Sequence, residues 1–129
     1  DDTVIVDNDT TDVDALVGGA GSDTIIGGSG NDTFHVYAGQ NRYEGEAGND
    51  TIYLLNNEAD ELVFRAGDGA DEVFGFQSGS DRIELHGLSL GDLQISQSND
   101  GTLLDFGING SIFLDGTTGI DPGQDLLFL

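Results

Sequence analysis

Asp14, Asp23, Asp32, Asn41, Asp50, Asp60, Asp71 and Asp81 carry the chemistry this chain can offer. The first five stand nine residues apart, and the later steps are 10, 11 and 10 residues. All but one of the eight are carboxylates. Two carboxylates about 5 Å apart repel by under 1 kcal/mol in water and several-fold more where the effective dielectric is lower. Stacked loops closed by such residues are relieved by a divalent cation between them, with loop carbonyls completing its shell. Six to eight hard oxygen ligands at roughly 2.3–2.6 Å in a flexible cage suit calcium better than magnesium, which requires a stricter octahedron. The sequence has no cysteine and only His35 and His86, so zinc and copper lack their usual ligands.

The elements that position these residues follow from the repeat itself. "GGAGSDTII" and "GGSGNDTFH" each divide into a loop of about six residues and a β-favouring strand of about three. Glycines let the loop turn tightly. The apolar position two beyond each slot is expected to point inward: Leu16, Ile25, Phe34, Tyr43, Ile52, Leu62, Val73 and Ile83. Strands this short cannot form independent hairpins. Two nonapeptides make one flattened coil, and successive coils stack as parallel strands about 4.8 Å apart. Units n and n+2 then lie over one another. Asp14, Asp32 and Asp50 are expected in one column of loops, and Asp23, Asn41 and Asp60 in the other.

Composition narrows the partners. The 129 residues carry 25 acidic side chains against three arginines (Arg42, Arg65, Arg82), no lysine and a net charge of −22. Such a chain repels nucleic acid and anionic membranes and attracts cations. An apolar content of 36% in short strand-like runs argues against disorder along the whole chain. No apolar run approaches the roughly 20 residues of a membrane span. Methionine is absent, so the chain is expected to be a piece of a larger protein continuing before Asp1. Catalytic constellations are weak. His35 and His86 read as outward or strand-end side chains. Glu44, Glu46 and Glu84 are scattered, without the facing pair of a glycosidase. The glycine-rich loops lack the lysine and helix start of a phosphate cradle.

From about Leu85 the period ends. "LQISQ", "TLLDF" and "SIFLD", separated by turns at Asn99-Asp100-Gly101 and Asn109-Gly110, predict a small antiparallel sheet. Leu93, Ile95, Leu103, Phe106, Ile112 and Leu114 are expected to cover the open end of the stack, which would otherwise expose its core. The terminal "DPGQDLLFL" reads as a further cap strand.

The motif GGxGxDxUx, in which U is a large apolar residue, resembles the RTX (repeats-in-toxin, haemolysin-type) proteins. The match is full at Gly18–Ile26 and Gly27–His35 and good at Gly45–Tyr53 and Ala66–Phe74. It is weak at Val36–Glu44, and weakest at Asp9–Val17, where either Asp12 or Asp14 fits. The segments after the repeats are also similar to those following RTX repeats. The resemblance implies an all-β fold: a right-handed parallel β-roll over residues 1–84, capped by a small antiparallel sheet over 85–129. It implies several calcium ions, each held by the closing carboxylates of units n and n+2 and by carbonyls of the early loop positions. Carried over, the ligands are Asp14, Gly18, Gly19, Ala20, Gly21, Asp23, Gly27, Gly28, Ser29, Gly30, Asp32, Asn41, Gly45, Ala47, Gly48, Asp50, Asp60, Ala66, Asp68 and Asp71. The loop pairs of Asp32 with Asp50 and of Asp14 with Asp32 should bind best, and the pair of Asp23 with Asn41 more weakly. The resemblance further implies a noncatalytic module of a secreted bacterial protein, exported by type I secretion machinery. Asp125–Leu129 is then a candidate for that signal. The alternative is a carbohydrate-binding accessory module or adhesin segment with a polysaccharide ligand.

Burying one large apolar side chain per half-coil contributes roughly 1.5–3 kcal/mol. Ordering nine residues costs more than that. The calcium-free roll is therefore expected to be largely unfolded, with binding free energy supplying folding free energy.

Overall fold

A computed structural model describes the backbone of residues 3–5 and 14–17, and residues 21–129 in full. The chain is nearly all β and forms a parallel solenoid of two sheets. One sheet contains β1 (Thr3–Ile5), β3 (Thr24–Gly28), β5 (Arg42–Glu46), β7 (Glu61–Arg65), β9 (Arg82–His86) and β13 (Leu126–Phe128), in that order. The other runs β2 (Asp14–Val17), β4 (Thr33–Val36), β6 (Thr51–Leu54), β8 (Ala70–Phe74), β12 (Ser111–Asp115), β11 (Gly101–Asp105) and β10 (Gln94–Gln97). Consecutive strands of the repeat alternate between the sheets, as a coil of two half-units requires.

The registers place equivalent residues over one another. Ile25 lies beside Tyr43, Tyr43 beside Leu62, and Leu62 beside Ile83. In the facing sheet Phe34 lies beside Ile52, and Ile52 beside Val73. All seven are buried, as the inward-pointing slot predicts. The eighth differs. β2 pairs with β4 so that Asp14 stands beside Thr33, Ala15 beside Phe34 and Leu16 beside His35. The first unit is thus displaced by one residue from the sequence alignment. It has no glycine to fix the loop, so the strand register decides. Asp14 does not occupy the position equivalent to Asp32.

The core is thicker than one side chain per half-coil. β4 buries Phe34 and Val36, β6 Ile52 and Leu54, β7 Leu62 and Phe64, and β9 Ile83 and Leu85. In β3 and β5 the second inward position falls to Gly27 and Gly45. Apolar burial therefore grows toward the C-terminal half.

The last third continues both sheets. β12 pairs parallel with β8, and β13 pairs parallel with β9, while β10, β11 and β12 are antiparallel to one another. The expected boundary between residues 84 and 85 falls inside β9. Phe106, Ile112 and Leu114 are buried and Leu93 packs against them, but Leu104 takes the inward place expected of Leu103. Two adjacent leucines leave the alternation ambiguous, and pairing of Leu104 with Ile112 resolves it. Ile95 is 39% exposed because β10 is the seventh strand of its sheet and has no counterpart in the six-stranded one.

The terminal segment is integrated into the fold. A short helix, α1 (Pro122–Asp125), leads into β13, with proline in its first turn and the Asp121 carboxylate accepting from the Gly123 N–H. Asp125 is fully buried and accepts from Ser78 Oγ at 2.6 Å, Gly79 N at 2.7 Å and Asp121 N at 2.8 Å. Burial opposes its charge, but these donors outweigh burial and hold its carboxyl below the usual range. Among the described residues no helix is long and apolar enough to cross a membrane.

Candidate metal centre

The closing residues of the loops form two ladders along the edges of the roll. On one edge, Asp32 N–H donates to Asp50 Oδ1 at 2.8 Å and Asp50 N–H to Asp71 Oδ1 at 3.0 Å. On the other, Asp23 N–H donates to Asn41 Oδ1 at 2.9 Å, Asn41 N–H to Asp60 Oδ1 at 2.9 Å, and Asp60 N–H to Asp81 Oδ1 at 3.0 Å. Each rung is closed by a second bond. The carbonyls of Asp23, Asp32, Asn41, Asp50 and Asp60 accept from Arg42, Thr51, Glu61, Glu72 and Arg82 respectively. The residue after each slot thus enters its strand already paired. This clamp survives the change of step from 18 to 19 and 21 residues, because the extra residues bulge within the loops.

One carboxylate oxygen satisfies the ladder, and the other points elsewhere. Asp50 Oδ2 is buried without a hydrogen-bond donor, as is Asp60 Oδ2. A buried acceptor left unsatisfied costs about 1–3 kcal/mol, and more when charged. Burial pushes the Asp50 carboxyl up to about 7, and the Asp32 and Asp68 carboxylates add to that rise. Burial likewise raises Asp71 to about 8 and Asp60 to about 6. These groups resist carrying charge unless positive charge joins them.

The glycines show where such charge would sit. A Cβ placed on Gly27 would lie 2.5 Å from Asp32 Oδ2 and 2.7 Å from the Gly45 carbonyl oxygen. Oxygens from two stacked loops therefore converge on the space beside the Gly27 backbone. A Cβ on Gly45 would meet Asp50 Oδ2 at 2.1 Å, and one on Gly48 would meet the Gly30 carbonyl oxygen at 1.9 Å. Glu46, which stands where the motif has glycine, keeps the left-handed backbone with φ of 68°. Among the described residues no three Asp, Glu, His or Cys side chains converge as a metal site. That accords with a shell built mainly from carbonyls and one carboxylate oxygen per loop. The residues of the Asp32–Asp50 pair fit a calcium ion: hard oxygen donors, one buried and unsatisfied, around a space a methyl group would fill.

The sequence matches the model of the RTX calcium-binding nonapeptide repeat over residues 8–43 and 35–54, in four copies. Residues 8–54 match RTX calcium-binding repeats. The matching segment includes the best-formed loops, from Gly27 to Asp50. Among solved structures, the chain is similar to the AlgE6R3 subunit of the mannuronan C5-epimerase of Azotobacter vinelandii, determined in solution. The two share 26% identity with a TM-score of 0.67, over 90% of this chain and 78% of that one. No curated protein matches the chain in sequence.

The remaining candidate ligands are placed as follows. Gly18, Gly19, Ala20 and the side chain of Asp14 lie outside the described residues. Gly21 stacks its carbonyl against Gly39, and Gly28 has positive φ. Ser29 and Gly30 belong to the loop above Ala47 and Gly48, and Gly48 N–H donates to the Asp68 carbonyl. Asp68 is buried, its Oδ2 accepting from Arg65 N at 2.7 Å to close the turn that begins at Ala66. Sequence reasoning missed a further ladder. Asn31 Oδ1 accepts from Asn49 N, and Asn49 Oδ1 from Ala70 N. It also missed the side chains of Asn56 and Gln77, which hold loops 36–41, 55–60 and 77–81 together. The available signal was the absence of glycine from the segment "LNNEAD".

Proposed function

We propose that this chain is a noncatalytic calcium-binding module of a larger secreted bacterial protein, folding when calcium binds after export by type I secretion. The observation that carries this is the buried, donor-less Oδ2 of Asp50 inside a loop stack whose repeats are RTX repeats. The repeats through the end of β9 serve as the calcium-binding roll and the residues after it as the cap, stabilising the protein to which they belong. Bound calcium supplies the positive charge that the stacked acceptors lack. The chain supplies the rest: ladder bonds fix the loop spacing, and glycines keep side chains out of the cage. The reading also explains the charge of −22, since a chain so acidic remains expanded where calcium is scarce. Calorimetric titration of chelator-treated protein with calcium tests it. Saturable binding of several ions is expected, and the absence of binding heat up to millimolar calcium would remove the proposal.

A second reading, a carbohydrate-binding accessory module, is favoured by a different observation. The three arginines of the chain all lie on the outward face of the six-stranded sheet, at Arg42 in β5, Arg65 in β7 and Arg82 in β9. Two depressions of about 300 and 290 Å³ share Ala59 and Glu61 and are lined by Arg82 and Arg42 respectively. Asp60, Glu61 and Asp81 line one depression and Asp23 and Glu61 the other, so an acidic polysaccharide would need calcium to bridge it to this strip; the similar subunit comes from a mannuronan epimerase. Arg42, however, is already engaged by Glu44, Glu61 and Glu84, and Arg65 by Glu44 at 3.0 Å. Titration with mannuronan oligosaccharides in excess calcium discriminates: binding lost in an Arg65→Gln/Arg82→Gln variant supports this second role.

A further inference from the structure

The two edges of the roll are built from different chemistry. On the Asp32–Asp50–Asp71 edge, acceptors face acceptors, and Asp50 Oδ2 has no donor. On the opposite edge Asn41 fills the equivalent slot. Its Oδ1 serves the ladder as that of Asp50 does, but its second terminal atom is a nitrogen. Asn41 Nδ2 donates to the Ala38 carbonyl at 2.8 Å and to the Gly39 carbonyl at 3.1 Å. These are carbonyls of its own loop, in the early positions that would otherwise turn to a cation. Asn56 Nδ2 gives Gly39 O a second donor at 3.0 Å. Gln77 Nε2 extends the series to Asn57 Oδ1 at 3.0 Å and Asn56 O at 3.4 Å.

The Asn56 and Gln77 amides thus tie successive loops together, and the Asn41 amide closes its own loop, with donors that bring no charge to be neutralised. Asp81 is satisfied at both oxygens, by Asp60 N and Gln77 N. Among the buried side-chain atoms of these loops, Asp60 Oδ2 remains without a donor. On this edge the would-be Cβ of Gly39 meets the Gly21 carbonyl oxygen at 2.0 Å, but loop 55–60 contains no glycine and cannot repeat that approach.

A calcium shell does not fit here, because the Ala38, Gly39 and Asn56 carbonyls are engaged by amides and one carboxylate is replaced by an amide. We propose that the edge formed by the Asn41, Asp60 and Asp81 loops holds together without metal. The amides of Asn41, Asn56 and Gln77 take the place of the cation, and among the described loops calcium is confined to the opposite edge. This deepens the calcium-module reading and rests on it.

Native mass spectrometry of the calcium-saturated chain tests the proposal through a reciprocal pair of variants. Asn41→Asp should bind one ion more than the wild type, and Asp50→Asn at least one fewer. An unchanged count in Asn41→Asp, with calcium still bound by the wild type, overturns the proposal and spares the calcium reading. No calcium on any of the three overturns both. A measurement on the wild type alone guards against misfolding of either variant. When a paramagnetic lanthanide replaces calcium, NMR signals from loops 27–32 and 45–50 should broaden beyond detection, while the Asn41 side-chain NH2 signals persist. Loss of the Asn41 signals with the others also overturns the proposal.

Discussion

Asp32 and Asp50, 18 residues apart, are joined by a 2.8 Å bond from the backbone N–H of the first to Oδ1 of the second, which leaves Oδ2 of Asp50 turned into the loop stack. One side chain thereby does two jobs: it fixes the spacing of the coils and it presents an oxygen to whatever lies between them. Asp50→Ala removes both. Hydrogen bonds to charged groups contribute about 1.5–3 kcal/mol, so this variant should lose at least that in calcium-saturated thermal unfolding. Asp50→Asn keeps the acceptor for Asp32 and should lose less stability while losing calcium affinity. Equal losses in the two variants would show that only the ladder matters.

Gly27 tests the cage by volume alone. The space its missing Cβ leaves is bounded by Asp32 Oδ2, the Gly45 carbonyl and, at 3.0 Å, the Phe34 ring. Gly27→Ala should weaken calcium binding by about tenfold or more, equivalent to about 1.4 kcal/mol. Gly119, which has nothing within 4 Å of its would-be Cβ, provides the control. Gly119→Ala should leave the affinity unchanged.

Acid sensitivity has a component outside the loops. Arg42 Nη2 lies 2.7 Å from Glu84, and this pairing holds the Glu84 carboxyl down to about 2. Glu61, hydrogen-bonded to Glu84 and sharing the same guanidinium, is pushed up instead. A folded-state value depressed from 4.5 means that the Glu84 contribution is present above about 4.5 and is lost as the pH falls toward 2. Glu84→Gln should therefore be less stable than the wild type at neutral pH, with the difference shrinking below pH 4.5. Denaturant unfolding in saturating calcium across that range measures it. A difference constant with pH would rule out the ion pair as its source.

On the outer face of the other sheet, Tyr53 stacks between His35 at 4.9 Å and Phe74 at 4.7 Å, with nearly parallel rings. Each such pair adds about 0.5–1.5 kcal/mol beyond area burial. Tyr53→Ser should thus cost about 1–3 kcal/mol while leaving the number of bound calcium ions unchanged. A changed ion count would tie this stack to the loops instead.

The parts of the fold that repeat were legible because the repeat is itself the physical instruction. Glycine, aspartate and the inward apolar residue fixed loop, slot and strand from Asp23 to Asp81. Where the instruction thins, the reading slipped. Residues 9–17 lack glycine, and strand pairing sets Asp14 beside Thr33 instead of over Asp32. The Leu103-Leu104 pair offers two equal registers, and only its neighbour Ile112 chooses between them. The candidate site was half legible. The carboxylate ladder follows from spacing, but the roles of Asn56 and Gln77 depend on loops brought together in space. The weak match at Val36–Glu44 marked an edge built from amides, a distinction that a count of carboxylates alone reads merely as lower affinity.

The central claim is that apolar burial in the roll falls short of holding it, and that calcium among the loops supplies the difference. Far-ultraviolet circular dichroism of the isolated chain, titrated from excess chelator into millimolar calcium, tests this most directly. A weak β signal is expected in chelator, with a cooperative rise to full β content as calcium is added. An unchanged spectrum and thermal midpoint across the titration would contradict it.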